Sequence, residues 1–242
     1  MAKILYKKSY QLNSLKLIRY DSLWGKKGIF STIRILGSKP KLLLLNYHLK
    51  NMNLALAKMK IKFVITEKII LNLLNPVLKN ITNQDTLLRV AINSSIISIS
   101  VRLRLRPYKN FLGILYSYQR PLPDLKNLYY KKIIKLLNSI NSQKQEIILH
   151  HRGFLLEGCT TNIFCIYNNK IYIPRNNYYK GTTMTYILRN SHREIKKTNI
   201  LINNLHKYEE IILTGSGKGV LSLSSIAQIG WKSQSDIVYK EF

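Results

Sequence analysis

Few side chains in this sequence are placed where they could do covalent or acid–base work. Lys126 follows a segment with two prolines, Tyr118–Asp124, and opens a stretch of helical periodicity. A lysine amine becomes a Schiff-base nucleophile when its surroundings lower its pKa; otherwise Lys126 is one solvated lysine among many. Glu157 lies in Gly153-Phe-Leu-Leu-Glu-Gly158, between apolar neighbours, in a chain with only 11 acidic residues. Buried, such a carboxylate stabilises a positively charged ring nitrogen; exposed, it closes a turn by pairing with a lysine. Two small-residue turns suit an anion: Gly181-Thr182-Thr183 before an expected helix, and Thr214-Gly215-Ser216-Gly217 after an expected strand. Free backbone N–H groups there, with hydroxyls from Thr182, Thr183 and Ser216, suit a phosphate, and each turn alone serves equally as a cap or a hairpin.

Several other chemistries are set aside. The run Gly215-Ser-Gly-Lys-Gly219 is not a P-loop, because its lysine is not followed by Ser or Thr and its glycine spacing is wrong. There is no Gly-x-Ser-x-Gly elbow, no His-Glu-x-x-His helix and no dinucleotide fingerprint, so hydrolase, zinc-enzyme and NAD-enzyme readings fall. Cys159 and Cys165 cannot build a disulfide scaffold, and no Cys or His cluster stands near them, so no metal is expected and a reducing compartment is. The adjacent His150 and His151 would point to opposite faces of a strand.

The elements that must position these residues can be read from patterning. The chain has 242 residues, 46% of them hydrophobic, with sixteen Tyr and six Phe, which is a packed protein and not a disordered one. No apolar run reaches the roughly 18 residues of a membrane span, and no signal peptide opens the chain, so a soluble, non-secreted protein without a membrane partner is expected. The net charge of +28 attracts nucleic acid non-specifically. Its basic residues are spread along a chain rich in Ile, Asn, Lys and Tyr, a drift that looks like AT-rich codon usage, and no specific nucleic-acid site is expected.

A hairpin is predicted around Phe30, Ile33 and Ile35 with a turn at Gly37–Pro40, and a helix from Leu45, where Leu45, Leu49, Met52, Leu56 and Met59 share one face. A second helix over Glu67–Leu78 is predicted to end near Asn75-Pro76. Strands follow between Leu87 and Arg106, and helical periodicity resumes from Leu125 to Ile140. Short strands are predicted at Glu146–His150, Asn162–Tyr167, Lys170–Ile173 and Glu210–Thr214, with a helix after Gly181. The expected domains are residues 1–117, a linker at 118–124 and residues 125–242.

Taken in order, these features resemble the class IV aminotransferases, the fold-type IV pyridoxal-phosphate enzymes that include branched-chain aminotransferase, D-amino-acid aminotransferase and aminodeoxychorismate lyase. The resemblance runs from about Tyr20 to Ile229. Its most specific block is Gly153-Phe-Leu-Leu-Glu-Gly-Cys-Thr-Thr-Asn-Ile-Phe164, followed by Lys170-Ile-Tyr-Ile-Pro174 and Lys180-Gly-Thr-Thr183. Upstream, Trp24-Gly-Lys-Lys-Gly-Ile-Phe30, Thr32-Ile-Arg34 and His48-Leu-Lys-Asn-Met52 are similar to the N-terminal signature, and Pro123-Asp-Leu-Lys-Asn-Leu-Tyr-Tyr130 to the lysine segment.

The resemblance implies an α+β fold of two domains, a smaller α/β N-terminal domain and a strand-rich, pseudo-barrel C-terminal domain that binds the cofactor, in a homodimer. It implies that Lys126 is the Schiff-base lysine for pyridoxal 5'-phosphate and then shuttles a proton, and that Glu157 keeps the pyridinium nitrogen protonated. Thr183 and Ser216, within turns that include Thr182 and Gly217, would hold the phosphate, and Tyr130 would contact the ring or its 3′-oxygen.

The family usually carries an arginine that grips the phosphate, in His-x-x-Arg-Leu; the matching position here is Asn51. Phe-Glu-Thr reads Phe30-Ser-Thr32, the strand where an arginine often precedes glycine reads Ile92-Asn-Ser94, and Gly-Ile-Thr-Arg reads Gly181-Thr-Thr-Met184. The implied reaction is transamination of branched-chain-like amino acids, or lysis of aminodeoxychorismate to 4-aminobenzoate and pyruvate. A degenerate, non-catalytic homologue is the alternative that Asn51 raises. With no targeting segment expected, the compartments implied are bacterial cytoplasm or, for an organelle-encoded chain, plastid stroma.

Overall fold

The computed structural model describes residues 2–242, which divide into two compact units. One comprises the chain up to Leu105 together with Leu125–Lys131, and the other Arg106–Asp124 with Lys132–Phe242.

The first unit is an antiparallel sheet with two helices. Its elements are β1 (Ile4–Gln11), β2 (Leu17–Ile18), β3 (Ile29–Leu36), β4 (Lys41–Leu42), α1 (Leu45–Lys58), α2 (Glu67–Leu78), β5 (Thr86–Ile92) and β6 (Ile96–Leu103), with strand order β2-β1-β6-β5-β3-β4. Alternation decides the faces. Ile29, Ile33 and Ile35 of β3, Leu88, Val90 and Ile92 of β5 and Ile97, Ile99 and Val101 of β6 share one face and one core with Met52 and Leu56 of α1 and Ile70, Leu73 and Leu74 of α2. The register turns Phe30, Thr32, Arg89, Ala91, Ser98 and Ser100 to the other face.

The expected hairpin at Phe30–Leu42 and the helix from Leu45 are both present. The second helix runs past Pro76 to Leu78. Proline there removes one backbone donor in the last turn, while buried Leu73, Leu74 and Val77 hold that turn on the core.

The second unit holds β7 (Phe111–Ser117), α3 (which starts at Lys131 and ends at Asn138), β8 (Gln145–His151), β9 (Phe154–Gly158), β10 (Asn162–Tyr167), β11 (Lys170–Pro174), α4 (Thr182–Asn190), β12 (Ile195–Thr198), β13 (Glu210–Gly215), β14 (Gly219–Ile226) and β15 (Trp231–Lys232). They form one curled sheet of nine strands in the order β12-β11-β10-β13-β14-β7-β8-β9, with β15 beside β14. The chain buries both faces of β10: Ile163 and Cys165 pack with Tyr208, Leu213 and Trp231, while Phe164 and Ile166 pack with Met184 and Ile187 of α4. That two-sided burial is why Ile163–Ile166 reads as an unbroken apolar run.

The expected boundary and the observed division differ. Residues 106–117 and the segment 118–124 group with the second unit, and Leu125–Lys131 returns to the first. The helix read from Leu125 begins only at Lys131. Residues 125–130 are instead drawn out along β3, where Phe30 N–H donates to the Lys126 carbonyl at 2.9 Å and Leu128 N–H to the Gly28 carbonyl at 2.9 Å. Main-chain pairing with a strand edge overrides the helical spacing of Leu125 and Leu128. No helix among the described residues is long and apolar enough to cross a membrane.

Three buried side chains give the fold a testable chemistry. Cys159 and Cys165 are 2% and 0% exposed, and burial pushes both thiols well above their ordinary range. Iodoacetamide is therefore expected to leave both unmodified in the native chain and to label both after unfolding, as mass spectrometry would show. His48, 4% exposed on α1, shares a 2.7 Å hydrogen bond between Nδ1 and Ser31 Oγ. Burial first, and the Lys126 charge second, pushes its imidazole down to about 3 from 6.5. The native state thus binds fewer protons than the unfolded chain below the unfolded pKa, so the contribution is complete above pH 6.5 and fades as pH falls toward 3. Between pH 7 and 5 this residue is expected to cost about 2 kcal/mol of stability. Urea unfolding of His48→Gln at the two pH values should show a correspondingly smaller loss than the parent chain; identical losses would contradict the assignment.

Candidate functional site

In the first unit, the Lys126 segment, β3 and the chain leading into β3 gather the chemistry-bearing groups. The pairing of residues 126–128 with residues 28–30 is completed by Gly25 N–H on the Leu128 carbonyl at 2.8 Å. It places Lys126 Nζ 4.9 Å from the centre of the Phe30 ring. Trp24 and Tyr130 stack at 5.5 Å, and Phe30 meets both rings edge-on, 4.8 and 5.0 Å away. Tyr130, 6% exposed, is thus fixed by two other rings.

A second cation belongs to this cluster. The Arg89 guanidinium lies 3.6 Å from the Trp24 ring centre and 5.6 Å from that of Phe30, and it donates to the Ser22 carbonyl at 2.7 Å. Its Nε is buried with no hydrogen-bond partner. Burial draws its pKa down to about 10, so it is still charged at neutral pH. A partly buried guanidinium without a carboxylate partner among the described residues is suited to an anion. Arg89 was not among the residues expected to act; the signal for it is a lone cation in the strand Thr-Leu-Leu-Arg-Val-Ala-Ile. Asn51 stands on α1, three residues after His48 and partly buried, and offers an amide at the position where the sequence resemblance implies a guanidinium.

The second unit presents a carboxylate and a cradle of N–H and hydroxyl groups. Glu157 sits on β9, where the pairing with β8 slips by one residue between Leu149 and His150. A bulge of this kind breaks the in–out alternation, and Leu155, Leu156 and Glu157 are buried in succession. Glu157 is 5% and Arg120 4% exposed. Arg120 Nε donates to Glu157 Oε1 at 2.8 Å, its terminal nitrogen approaches the same oxygen at 2.7 Å, and Tyr179 N–H donates to Oε2 at 3.2 Å. Burial, and next the Glu157 charge, raises the pKa of neighbouring Tyr178. Arg120 is the partner of Glu157 that the sequence hides, because its setting between Gln119 and Pro121 reads as a polar connection.

The anion-suited turns are both present, and the structure brings them together. Asn162 Oδ1 accepts from Gly181 N–H at 3.0 Å, and Asn162 Nδ2 donates to the Tyr179 carbonyl. A Cβ on Gly181 would stand 2.4 Å from that Asn162 oxygen, so only glycine allows the contact. This tether sets the N-terminus of α4, at which Thr182 is buried and Thr183 Oγ1 lies 3.4 Å from Ser216 Oγ in the β13–β14 turn. Gly217 follows in the same turn, partly exposed. A helix N-terminus, with its own Thr183 hydroxyl meeting the Ser216 hydroxyl from a distant turn, fits a phosphate monoester. The ion-paired carboxylate fits a protonated ring nitrogen. Within each unit, then, the residues present fit pyridoxal phosphate, with Asn51 as the departure.

The family model for class IV amino-transferases matches residues 28–226. No curated protein sequence matches the chain. Among solved structures, a branched-chain amino acid aminotransferase from T.th., complexed with N-(5'-phosphopyridoxyl)-L-glutamate, superposes with a TM-score of 0.79 at 14% identity, over 98% of this chain and 92% of that one. The branched-chain aminotransferase of Thermoproteus uzoniensis with norvaline gives 0.79 at 15% identity, over 96% and 91%. A protein assigned as 4-amino-4-deoxychorismate lyase from Legionella pneumophila gives 0.71 at 17% identity, over 88% of each chain. The fold is that of the fold-type IV aminotransferases, as the sequence motifs implied.

The Arg120–Glu157 pair makes a prediction of its own. Removing one partner of a buried ion pair leaves an uncompensated charge, at a cost of about 3–5 kcal/mol. Arg120→Met should lower the unfolding free energy measured in urea by that amount, and Arg120→Met with Glu157→Gln should recover most of it. A single variant as stable as the parent would show that the pair is not maintained in solution.

Proposed function

Because the chain belongs to the class IV aminotransferase family, we propose that it is a pyridoxal-phosphate-dependent enzyme acting on the amino group of a small amino-acid substrate. The reactions in view are transamination of branched-chain-type amino acids and lysis of aminodeoxychorismate to 4-aminobenzoate and pyruvate. One observation carries the reading: two hydroxyl-bearing turns more than thirty residues apart in sequence converge to 3.4 Å at the start of α4, in a unit that also buries a carboxylate against an arginine.

The residues divide the work. Thr183 and Ser216, with N–H groups of the Thr182–Thr183 and Ser216–Gly217 backbone, bind the phosphate. Glu157, ionised against Arg120, partners a protonated ring nitrogen. Bound there, pyridoxal phosphate supplies an electron sink for the bonds at the substrate's Cα. Lys126 Nζ is the covalent attachment point and afterwards the base that takes and returns the Cα proton. Tyr130, held against Trp24 and Phe30, orients the ring's oxygen edge. Arg89, charged and held against Trp24, is the cation of the first unit that attracts a substrate carboxylate. The homodimer implied by the family is part of the same proposal.

The test is the absorption spectrum of the purified protein with added pyridoxal phosphate, then borohydride reduction and peptide mapping. A visible band with the label on Lys126 is expected, and Lys126→Ala should abolish both and lower turnover by at least about 10³-fold. Assays of pyruvate release against amino-group transfer then separate lyase from transaminase. Absence of the band, or a label scattered over surface lysines, would overturn the proposal in favour of a fold that has lost its cofactor through the change at Asn51.

A further inference from the structure

The turn that carries Ser216 is fastened from beneath by a residue that the cofactor reading does not use. Lys218 follows Gly217 in the β13–β14 turn, yet its side chain is only 11% exposed. It runs inward over the Phe111 ring, with Nζ 4.5 Å from the ring centre, and donates to the Ser142 carbonyl at 2.7 Å. Its counter-charge is Glu146 Oε2 at 3.3 Å, on a side chain that is 0% exposed.

Glu146 binds a third segment. Thr160 donates to it twice, from the backbone N–H at 3.2 Å and from Oγ1 at 2.8 Å. Thr160 lies in the connection after β9, and that connection presses on the turn again: a Cβ on Gly215 would meet the Thr160 carbonyl at 3.0 Å. A Cβ on Gly158 would stand 2.1 Å from Thr161 Oγ1 and 3.0 Å from Glu146 Cγ. Lys218, Glu146 and Thr160 therefore lock the turn, the start of β8 and the 159–161 connection into one block with no room between them. Ser216, two residues before Lys218, reaches the other way to Thr183.

Resting on the cofactor reading above, we propose that Lys218 and Glu146 are positioning residues that hold the Ser216–Gly217 turn in its phosphate-binding conformation. The ammonium does not itself neutralise the phosphate, because it is spent on the Ser142 carbonyl and Glu146. It fixes the backbone of the turn so that hydroxyl and N–H donors are set before the anion arrives, which spares binding the cost of ordering them.

The test compares a probe that has the phosphate with one that lacks it. Lys126 occupancy, trapped by borohydride and quantified by peptide mapping, is titrated with pyridoxal phosphate and separately with pyridoxal. Two variants are used: Lys218→Met, and Lys218→Met combined with Glu146→Gln, which leaves no buried charge behind if the first fails to fold. Loss of about tenfold to a hundredfold in apparent affinity for pyridoxal phosphate, with pyridoxal unchanged, is expected. Lys218→Arg should recover part of it. A folded variant that binds both probes as the parent does, or weakens both equally, would overturn the positioning role while leaving the cofactor reading intact. A parent chain that labels Lys126 with neither probe would overturn both.

Discussion

A carboxylate taken out of water must find a counter-charge or converging hydrogen-bond donors, and the second unit is organised by that constraint. Glu146, Glu157 and Glu210 are all buried, and each is satisfied differently. Glu157 has Arg120, Glu146 has Lys218 and Thr160, and Glu210 accepts the N–H groups of Val238 and Tyr239 at 2.9 Å with the Ser235 hydroxyl at 3.0 Å. Desolvation carries a heavy penalty for each of these groups, and only convergent donors offset it. What they achieve is placement. Every buried carboxylate ties together segments distant in sequence, and the proposed anion turns lie among those segments.

The surplus of positive charge looks different in that light. With 39 basic and 11 acidic residues, most lysines have no acidic partner to find, and the few acids form the ordered contacts. Asp85 in the first unit is a further case, with Arg34 at 2.8 Å and Arg104 at 3.1 Å. Their guanidinium groups outweigh the opposing effect of burial and hold its carboxyl below the usual range. The scarcity that made Glu157 conspicuous in the sequence has the same origin.

Much of this was legible in advance, and the failures have identifiable causes. Helix α1 and strands β3, β10 and β13 were readable because their apolar residues follow one clear period. Strand β1 was not, since Ile-Leu-Tyr-Lys-Lys-Ser-Tyr-Gln alternates poorly and is half exposed. The region from Leu125 misled because Leu125 and Leu128 fit a helix equally well; long-range pairing with Gly28 and Phe30 decided it, and no local pattern encodes that. Of the candidate site, the individual groups Lys126, Glu157, Thr183 and Ser216 could be picked out by type and setting. Their supports could not: Arg120, Asn162 and Lys218 are ordinary residues until the fold shows what each one touches.

The return of Leu125–Lys131 to the first unit bears on how the chain is made. Its polypeptide leaves that unit at Leu105, contributes nineteen residues to the other, and comes back to lay Lys126 along β3. The first unit consequently stays incomplete on the ribosome until residue 131 has emerged, although its own sheet and helices are translated by residue 105. A vectorial order of domain folding, N-terminal half first, is interrupted here by one short stretch of backbone. That stretch carries the proposed nucleophile, so Lys126 reaches its place on β3 only when the first unit is finished.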